Sequence, residues 1–235
     1  MIRVLAFIRR LPGVSRDEFR SHYEEIHVPI ALPSLAGTTG YVRHHVREEI
    51  HGAADFDCMT RFEYPDAAAV RAVYERTEGP QADAIRRDER TFMDKPAIVF
   101  FPVEESPAWY ASGRQPARSE AKPNEAQSGW EARAGTEGAR LLVCVRRPEA
   151  EPPGSFRARF LGESLPALRA AALGPRWTRP QFALPGAAQS RGFDAVTEIG
   201  AEGAGELARW ARALEAEGAG VIAVRVSVHE TRMPG

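Results

Sequence analysis

His27 is the residue of this chain best placed for proton chemistry. It lies on a stretch where Phe19, Tyr23, Ile26 and Ile30 recur at helical spacing and form a buried stripe. At ~100° per residue, His27 falls ~80° from Phe19 and His22 falls ~60° away on the other side, so both flank that stripe. A half-buried imidazole there can have a pKa near neutrality and act as acid or base. The same position near a helix end also suits a cap that bonds terminal carbonyls. The run after Gly40 alternates Tyr41, Arg43, His45 and Arg47 on one face with Val42, His44 and Val46 on the other. A line of phenol, guanidinium and imidazole can bind a phenolate, enolate or carboxylate, with Tyr41 as donor and Arg43 as charge stabiliser. An exposed edge strand with solvated charges has the same pattern. His44 reads as structural, and His51, in a Gly-Ala loop, as a surface residue. Asp57 is a candidate for orienting an imidazole, binding a hydroxyl or tying down a loop. His22 and His27 are five residues apart, ~140° around a regular helix. No pair at i, i+4 and no Cys/His cluster points to a metal. Asp88, Glu89 and Asp94 stand among Arg86, Arg87 and Arg90 and read as a salt-bridged solvent face. There is no Gly-rich phosphate loop and no nucleophile elbow.

The elements that must hold these residues follow from periodicity and punctuation. Residues 2–8 are a short apolar run bounded by Arg9-Arg10 and the Pro12-Gly13 turn, which reads as a strand. Ser15 and Glu18 form a capping box that opens a helix. Pro29 lacks an N–H, so that helix should kink or end near Val28. Strands are expected over 40–47, 55–63 and 97–103, a helix from Pro65-Asp66, and a polar helix within 80–94. The order strand, helix, strand, strand, helix, strand is that of a ferredoxin-like βαββαβ unit. One face of its sheet packs on the helices. The other, carrying residues such as Leu5, Phe7 and Phe101, is too apolar for water and needs a second sheet.

The second half of the chain supplies one. Phe7-Ile8-Arg9-Arg10 lines up with Cys144-Val145-Arg146-Arg147, Phe19-Arg20 with Phe156-Arg157, His27-Val28-Pro29 with Ser164-Leu165-Pro166, and Phe56-Asp57 with Phe193-Asp194. All are 137 apart, over roughly fifty residues, which marks an internal repeat. The last strands align at an offset of 125 (Val103 with Val228, Glu105 with Glu230), so the second copy lacks 12 residues before its final strand. The fold class is therefore α+β: two tandem ferredoxin-like units packed sheet-to-sheet as an intramolecular pseudo-dimeric α/β barrel. The units span 1–105 and 139–235. Between them, 106–138 holds no Val, Ile, Leu, Phe or Met, and reads as a linker. Trp109, Tyr110 and Trp130 are its only large anchors.

Bulk properties narrow the function. With Lys+Arg 31 against Asp+Glu 32, nothing favours nucleic acid or an anionic membrane. No apolar run approaches the ~18 residues of a membrane span. Met1 leads directly into a strand-like run rather than an apolar leader, so a cytoplasmic protein is expected. Cys58 and Cys144 sit in apolar strands and read as buried free thiols.

The first half resembles the EthD family of the dimeric α/β-barrel superfamily. The resemblance rests on Phe7-Ile8-Arg9-Arg10, on Ser15, Phe19, Tyr23 and His27-Val28-Pro29, and on Gly40-Tyr41-Val42 with His45-Val46. Asp57 and the Asp88-Glu89, Phe92, Asp94 element complete it. It implies a small-molecule pocket between sheet and helix. In the second half Ser164 replaces His27, Tyr41 is shifted to Trp177 and the acidic 88–94 segment is lost, so that half is expected to be structural. The candidate set is His27 and Tyr41 for catalysis, with Arg43, His45, Asp57 and Tyr23 contacting substrate. Two functions are open. One is a cofactor-independent enzyme that transfers a proton beside a carbonyl, in a cyclisation, dehydration or isomerisation of a small aromatic, polyketide-like or lactone metabolite. The other is a non-catalytic small-molecule or haem-binding accessory protein, with His27 or His45 as the axial ligand. A monomeric pseudo-dimer is expected, and further homo-oligomers fit the sequence equally.

Overall fold

The computed structural model describes residues 1–79, 82–111, 139–184, 192–231 and 233. The first half runs β1 (Ile2–Ile8), α1 (Arg16–His22), a π-helical turn (Tyr23–His27), α2 (Val28–Ala31), β2 (Gly40–His51), β3 (Cys58–Tyr64), α3 (Ala67–Glu78), α4 (Asp83–Phe92) and β4 (Val99–Glu105). A two-residue strand, β5 (Trp109–Tyr110), follows. The second half runs β6 (Ala139–Arg146), α5 (Pro153–Arg159), a π-helical turn (Phe160–Ser164), α6 (Leu165–Ala171), β7 (Trp177–Ala183), β8 (Ala195–Ala201), α7 (Leu207–Ala216) and β9 (Gly220–Thr231). The middle of the proposed linker, Trp130 included, lies outside the described residues. Of its other two anchors, Trp109 and Tyr110 pair with β7, and the Arg169 guanidinium lies 4.9 Å from the Trp109 ring.

Every strand pairs antiparallel, in the order β4-β1-β3-β2-β9-β6-β8-β7, and β7 returns to β4. Eight strands thus close into a barrel, with β5 added outside on β7. The expected face-to-face docking of two sheets takes a different form. The sheets join edge to edge at β2–β9 and β4–β7, and curvature brings their apolar faces together. Closure leaves neither sheet with an open edge, which is the physical gain over stacking. The strand registers also correct the sequence alignment. Leu5 opposes Phe101 on β4, and Leu142 opposes Val224 on β9. Leu5 and Leu142 are 137 apart, but Phe101 and Val224 are 123 apart, so the last strands match at 123 rather than 125.

The barrel interior is a packed core, not a pore. Phe7 belongs to an aromatic cluster there, with ring centroids 4.9 Å from Phe56, 4.9 Å from Phe193 and 5.7 Å from Phe101. Cys58 and Cys144 are both buried free thiols. Toward the other end the interior turns polar. The buried Glu198 carboxylate accepts from His44 Nε2 (3.1 Å), Gln181 Nε2 (2.9 Å) and Arg61 Nη1. Burial opposes the charge on Glu198, but Arg61 and His44 hold its pKa well below the ordinary carboxylate range. Two further cores lie outside the barrel, one under the helices of each half.

Candidate functional site

The site is built on an irregular first helix. Ser15 caps it as its sequence requires: its hydroxyl accepts from Glu18 N–H (3.2 Å), and the Glu18 carboxylate accepts from Ser15 N–H (2.8 Å). The helix neither ends nor breaks at Val28. It widens into a π turn in which Val28 N–H bonds the Tyr23 carbonyl, five residues back. Pro29 explains the place: its ring collides with the carbonyl four residues earlier and it has no N–H to give. The second half repeats this before Pro166, where Leu165 N–H bonds the Phe160 carbonyl. One residue is absorbed by the wider turn, so the buried stripe shifts. Ile26, expected inside, is 47% exposed, and His27 and Val28 take the inward positions beside Phe19 and Tyr23.

The π turn also changes what the two histidines can share. On a regular helix His22 and His27 point apart. With i→i+5 bonding, residues five apart come onto one side, and both rings meet a single carboxylate on α4. Asp88 Oδ2 lies 2.8 Å from His27 Nδ1 and Asp88 Oδ1 lies 2.7 Å from His22 Nε2. A carboxylate accepts only, so Nδ1 of His27 carries its proton and Nε2 holds the free lone pair. His27 Nε2 has no partner among the described residues, and the ring lines a cavity of about 360 Å³. Burial lowers the His27 pKa below its ordinary value against the pull of Asp88 and Glu89, which favours the neutral ring.

That cavity lies between the helices and the outer face of the first-half sheet. Val4, Ile8, Phe62, Ile98 and Met93 form apolar walls, Tyr23 and Tyr41 bring phenols, and the exposed rings of Tyr74 and Phe100 flank the opening. The Tyr23 hydroxyl is 3.2 Å from Thr60 Oγ1. Tyr41 stacks on Phe62, with centroids 5.2 Å apart. Burial raises the pKa of both phenols, so they remain protonated donors; the same burial pushes Tyr64 up to about 12. Glu89 and Lys95, paired at 2.6 Å, are its charged pair.

Three of the sequence candidates are placed elsewhere. Arg43 and His45 do share a face of β2, but that face is covered. Arg43 Nη2 donates to Glu24 Oε2 (2.6 Å) and Nε to Oε1 (3.0 Å), and His45 Nε2 lies 2.6 Å from Glu24 Oε1. Neither lines the cavity. Glu24, pointing down from the π turn, claims both cations, and β9 adds Thr231 to Arg43 (2.6 Å). Asp57 accepts from Arg10 N–H (3.0 Å), Arg10 Nε (3.1 Å) and Arg16 Nε (3.1 Å), so it clamps the β1–α1 loop. Asp194 holds Arg147 through the same two distances, 3.0 and 3.1 Å, in the second half. An arrangement kept where Ser164 stands in place of His27 is structural. Tyr23, His27 and Tyr41 are the candidates brought together.

The comparisons with known proteins bear on this half of the chain. The model described as "EthD domain" matches residues 11–96. His27, Tyr41 and Asp88 all fall within the matched span. No curated protein matches the chain. Among solved structures, the fold is similar to that of an anthrone oxidase-like protein, with a TM-score of 0.55 and 13% identity over 97% of this chain and 92% of that one. A chlorite dismutase from Candidatus Nitrospira defluvii, solved with imidazole, is similar at a TM-score of 0.45 and 10% identity, over 95% of this chain and 90% of that one. The likeness to the anthrone oxidase-like protein is one of fold alone.

The second half has the same helix irregularity without the imidazole: 137 residues after Tyr23 and His27 stand Phe160 and Ser164, while Thr60 is matched by Thr197. The strand register places Thr178, not Trp177, at the position of Tyr41, since Tyr41 opposes Phe62 and Thr178 opposes Ile199. A separate hollow of about 430 Å³ at one barrel mouth is lined by Phe7, Arg9, Asp55, Arg146 and Phe193 among others, and holds no imidazole. Among the described residues, no three His, Cys, Asp or Glu side chains are grouped to hold a metal ion, and no helix is long and apolar enough to cross a membrane.

Proposed function

We propose that this chain is a cofactor-independent enzyme of cyclase, dehydratase or isomerase type that moves a proton beside a carbonyl of a small aromatic, polyketide-like or lactone substrate. One observation carries the reading: a neutral imidazole, fixed through Nδ1 by Asp88, turns its unpartnered Nε2 into an apolar cavity. Such an imidazole is oriented as a general base, and the carboxylate behind it stabilises the imidazolium once the proton has moved. The flat apolar walls favour a planar, weakly polar substrate. As negative charge develops on its carbonyl oxygen, protonated phenols at Tyr23 and Tyr41 are the available donors. Arg43, held by Glu24, has no part in this reading.

We read the second half as a structural partner in a tandem, pseudo-dimeric barrel, since its cavity-facing positions carry no base. The accessory-protein reading with haem has narrower support. His45 gives its Nε2 to Glu24 away from the cavity, which leaves His27 as its one remaining ligand candidate.

The test is proton exchange. The full chain is incubated in D₂O with a panel of aryl ketones and β-keto lactones, and deuterium entry α to the carbonyl is followed by mass spectrometry. His27→Gln is expected to slow the exchange of any accepted ketone by ~10²–10⁴-fold. Equal exchange by wild type and His27→Gln, or a Soret band on haem titration that His27→Gln abolishes, overturns the reading.

A further inference from the structure

Asp88 is shared between two imidazoles, and they differ in what they face. His27 turns into the cavity. His22, with a side chain 26% exposed, closes the last turn of α1 at the solvent side, its ring lying 4.3 Å from Phe92. Asp88 itself is nearly buried, with 8% of its side chain exposed. Each of its oxygens is spent on one ring, so it has little water to fall back on. A single carboxylate can neutralise only one imidazolium. When two titrating groups lean on one countercharge, the proton on one weakens the hold of the other, and the pair titrates as a unit.

We propose that His22 regulates the base at His27: protonation of the outer ring draws Asp88 toward it and withdraws the support that His27 needs to accept a proton from substrate. His22 is then a positioning residue and not a catalytic one, because it touches neither the cavity nor anything in it. The consequence is that, once His22 is charged, His27 stays unprotonated to lower pH but is a weaker base there. The inference rests on the proposed base role of His27 for its functional meaning, but the coupling itself is a property of the three side chains.

The surroundings bear on how clean this coupling is. From α4, Glu89 also faces His27 and favours its protonated form. Lys95 is occupied by Glu89. From the π turn and β2, Tyr23 and Tyr41 stay neutral. His22 shares the Asp88 carboxylate, and a charge on its ring opposes the imidazolium at His27. The second half marks the trio as an addition to the frame. It keeps the π turn, yet it carries Arg159 and Ser164 at the two histidine positions, and Arg159 is turned to Glu151 (2.7 Å) and Glu217 (3.0 Å).

The experiment reads the rings directly. In the full-length chain labelled at histidine, the His27 titration is followed by NMR in wild type, in His22→Gln and in His22→Asn. Gln keeps an N–H for Asp88 and never acquires charge. Both variants are expected to raise the His27 midpoint by ~0.5–1 pH unit and to turn a two-step curve into a single step. An unchanged midpoint and curve shape in both variants overturns the coupling. The deuterium-exchange assay separates this from the reading beneath it. A shifted midpoint with undiminished exchange in His27→Gln removes the base role and leaves the coupling standing. Exchange lost in His27→Gln with no shift in either His22 variant removes the coupling alone.

Discussion

Asp88 sits on a helix whose charged residues read as a solvent face, because Arg86, Arg87 and Arg90 surround it in sequence. Only the docking of α4 on the π turn gives it two histidines and takes it out of water. His27 and Tyr41 stood out as candidates from residue type and periodicity taken together with the EthD resemblance, and both line the cavity. Asp88 had a weaker signal, its place in the element shared with the EthD family. Arg43 and His45 show the opposite case. Their type and shared face were read correctly from alternation, but alternation says nothing about what covers a face, and Glu24 covers this one. At this scale the decisive change is Asp88→Asn. It keeps the shape and removes the charge that fixes the tautomer and stabilises the imidazolium. The turnover rate on an accepted substrate is expected to fall roughly 10²-fold or more with little change in KM. Steady-state kinetics check this, and a loss confined to KM would place Asp88 in binding instead.

The first helix departs from regularity at one place, and that departure reorganises three others. A regular helix was the sound expectation from Phe19, Tyr23, Ile26 and Ile30, since no local signal besides Pro29 announces a wider turn. The π turn brings His27 inward, sets His22 beside it, and points Glu24 at β2. Burial opposes the charge on Glu24, but the His45 and Arg43 contacts lower its pKa to about 2 from 4.5. Burial likewise opposes the charge on His45, yet the Cys58 sulfur and the Glu24 carboxylate raise its pKa to about 9 from 6.5. The depressed carboxylate contributes stability that is present above about 4.5 and is lost as pH falls toward 2. The raised imidazole contributes stability that is complete below 6.5 and is lost as pH rises through 9. The network is therefore strongest between about 4.5 and 6.5. Urea unfolding should show His45→Gln costing more at pH 5.5 than at about pH 9.5. An equal cost at both values would mean that the ring does not titrate with the fold. Glu24→Ala leaves the buried Arg43 cation uncompensated and is expected to cost ~3–5 kcal/mol near neutral pH.

Across the whole molecule, the order of elements in each half could be read from periodicity, and residues 137 apart take matching register positions in β1 and β6, β2 and β7, and β3 and β8. The final strands could not be aligned as safely. An alternating strand looks much the same when slid by two residues, so Val103 and Glu105 match Val228 and Glu230 in sequence while the hydrogen bonds put them two apart. The closure of the barrel was foreseeable in outline, from an apolar sheet face with nothing to cover it. Its polar end was not, because Glu198, Arg61, Gln181 and His44 meet only through pairing of distant strands. Glu198→Ala should cost up to ~3–5 kcal/mol by leaving buried Arg61 with Glu63 as its remaining close carboxylate. The check is a lower denaturant midpoint at unchanged slope. Residues 61 and 198 also stand at the same station of the two halves, 137 apart, one a guanidinium and the other a carboxylate. Two copies of the first half brought together would set cation against cation there, and two of the second would set anion against anion. The chain thus recognises its own other half by opposite sign, and neither half is fitted to a twin of itself.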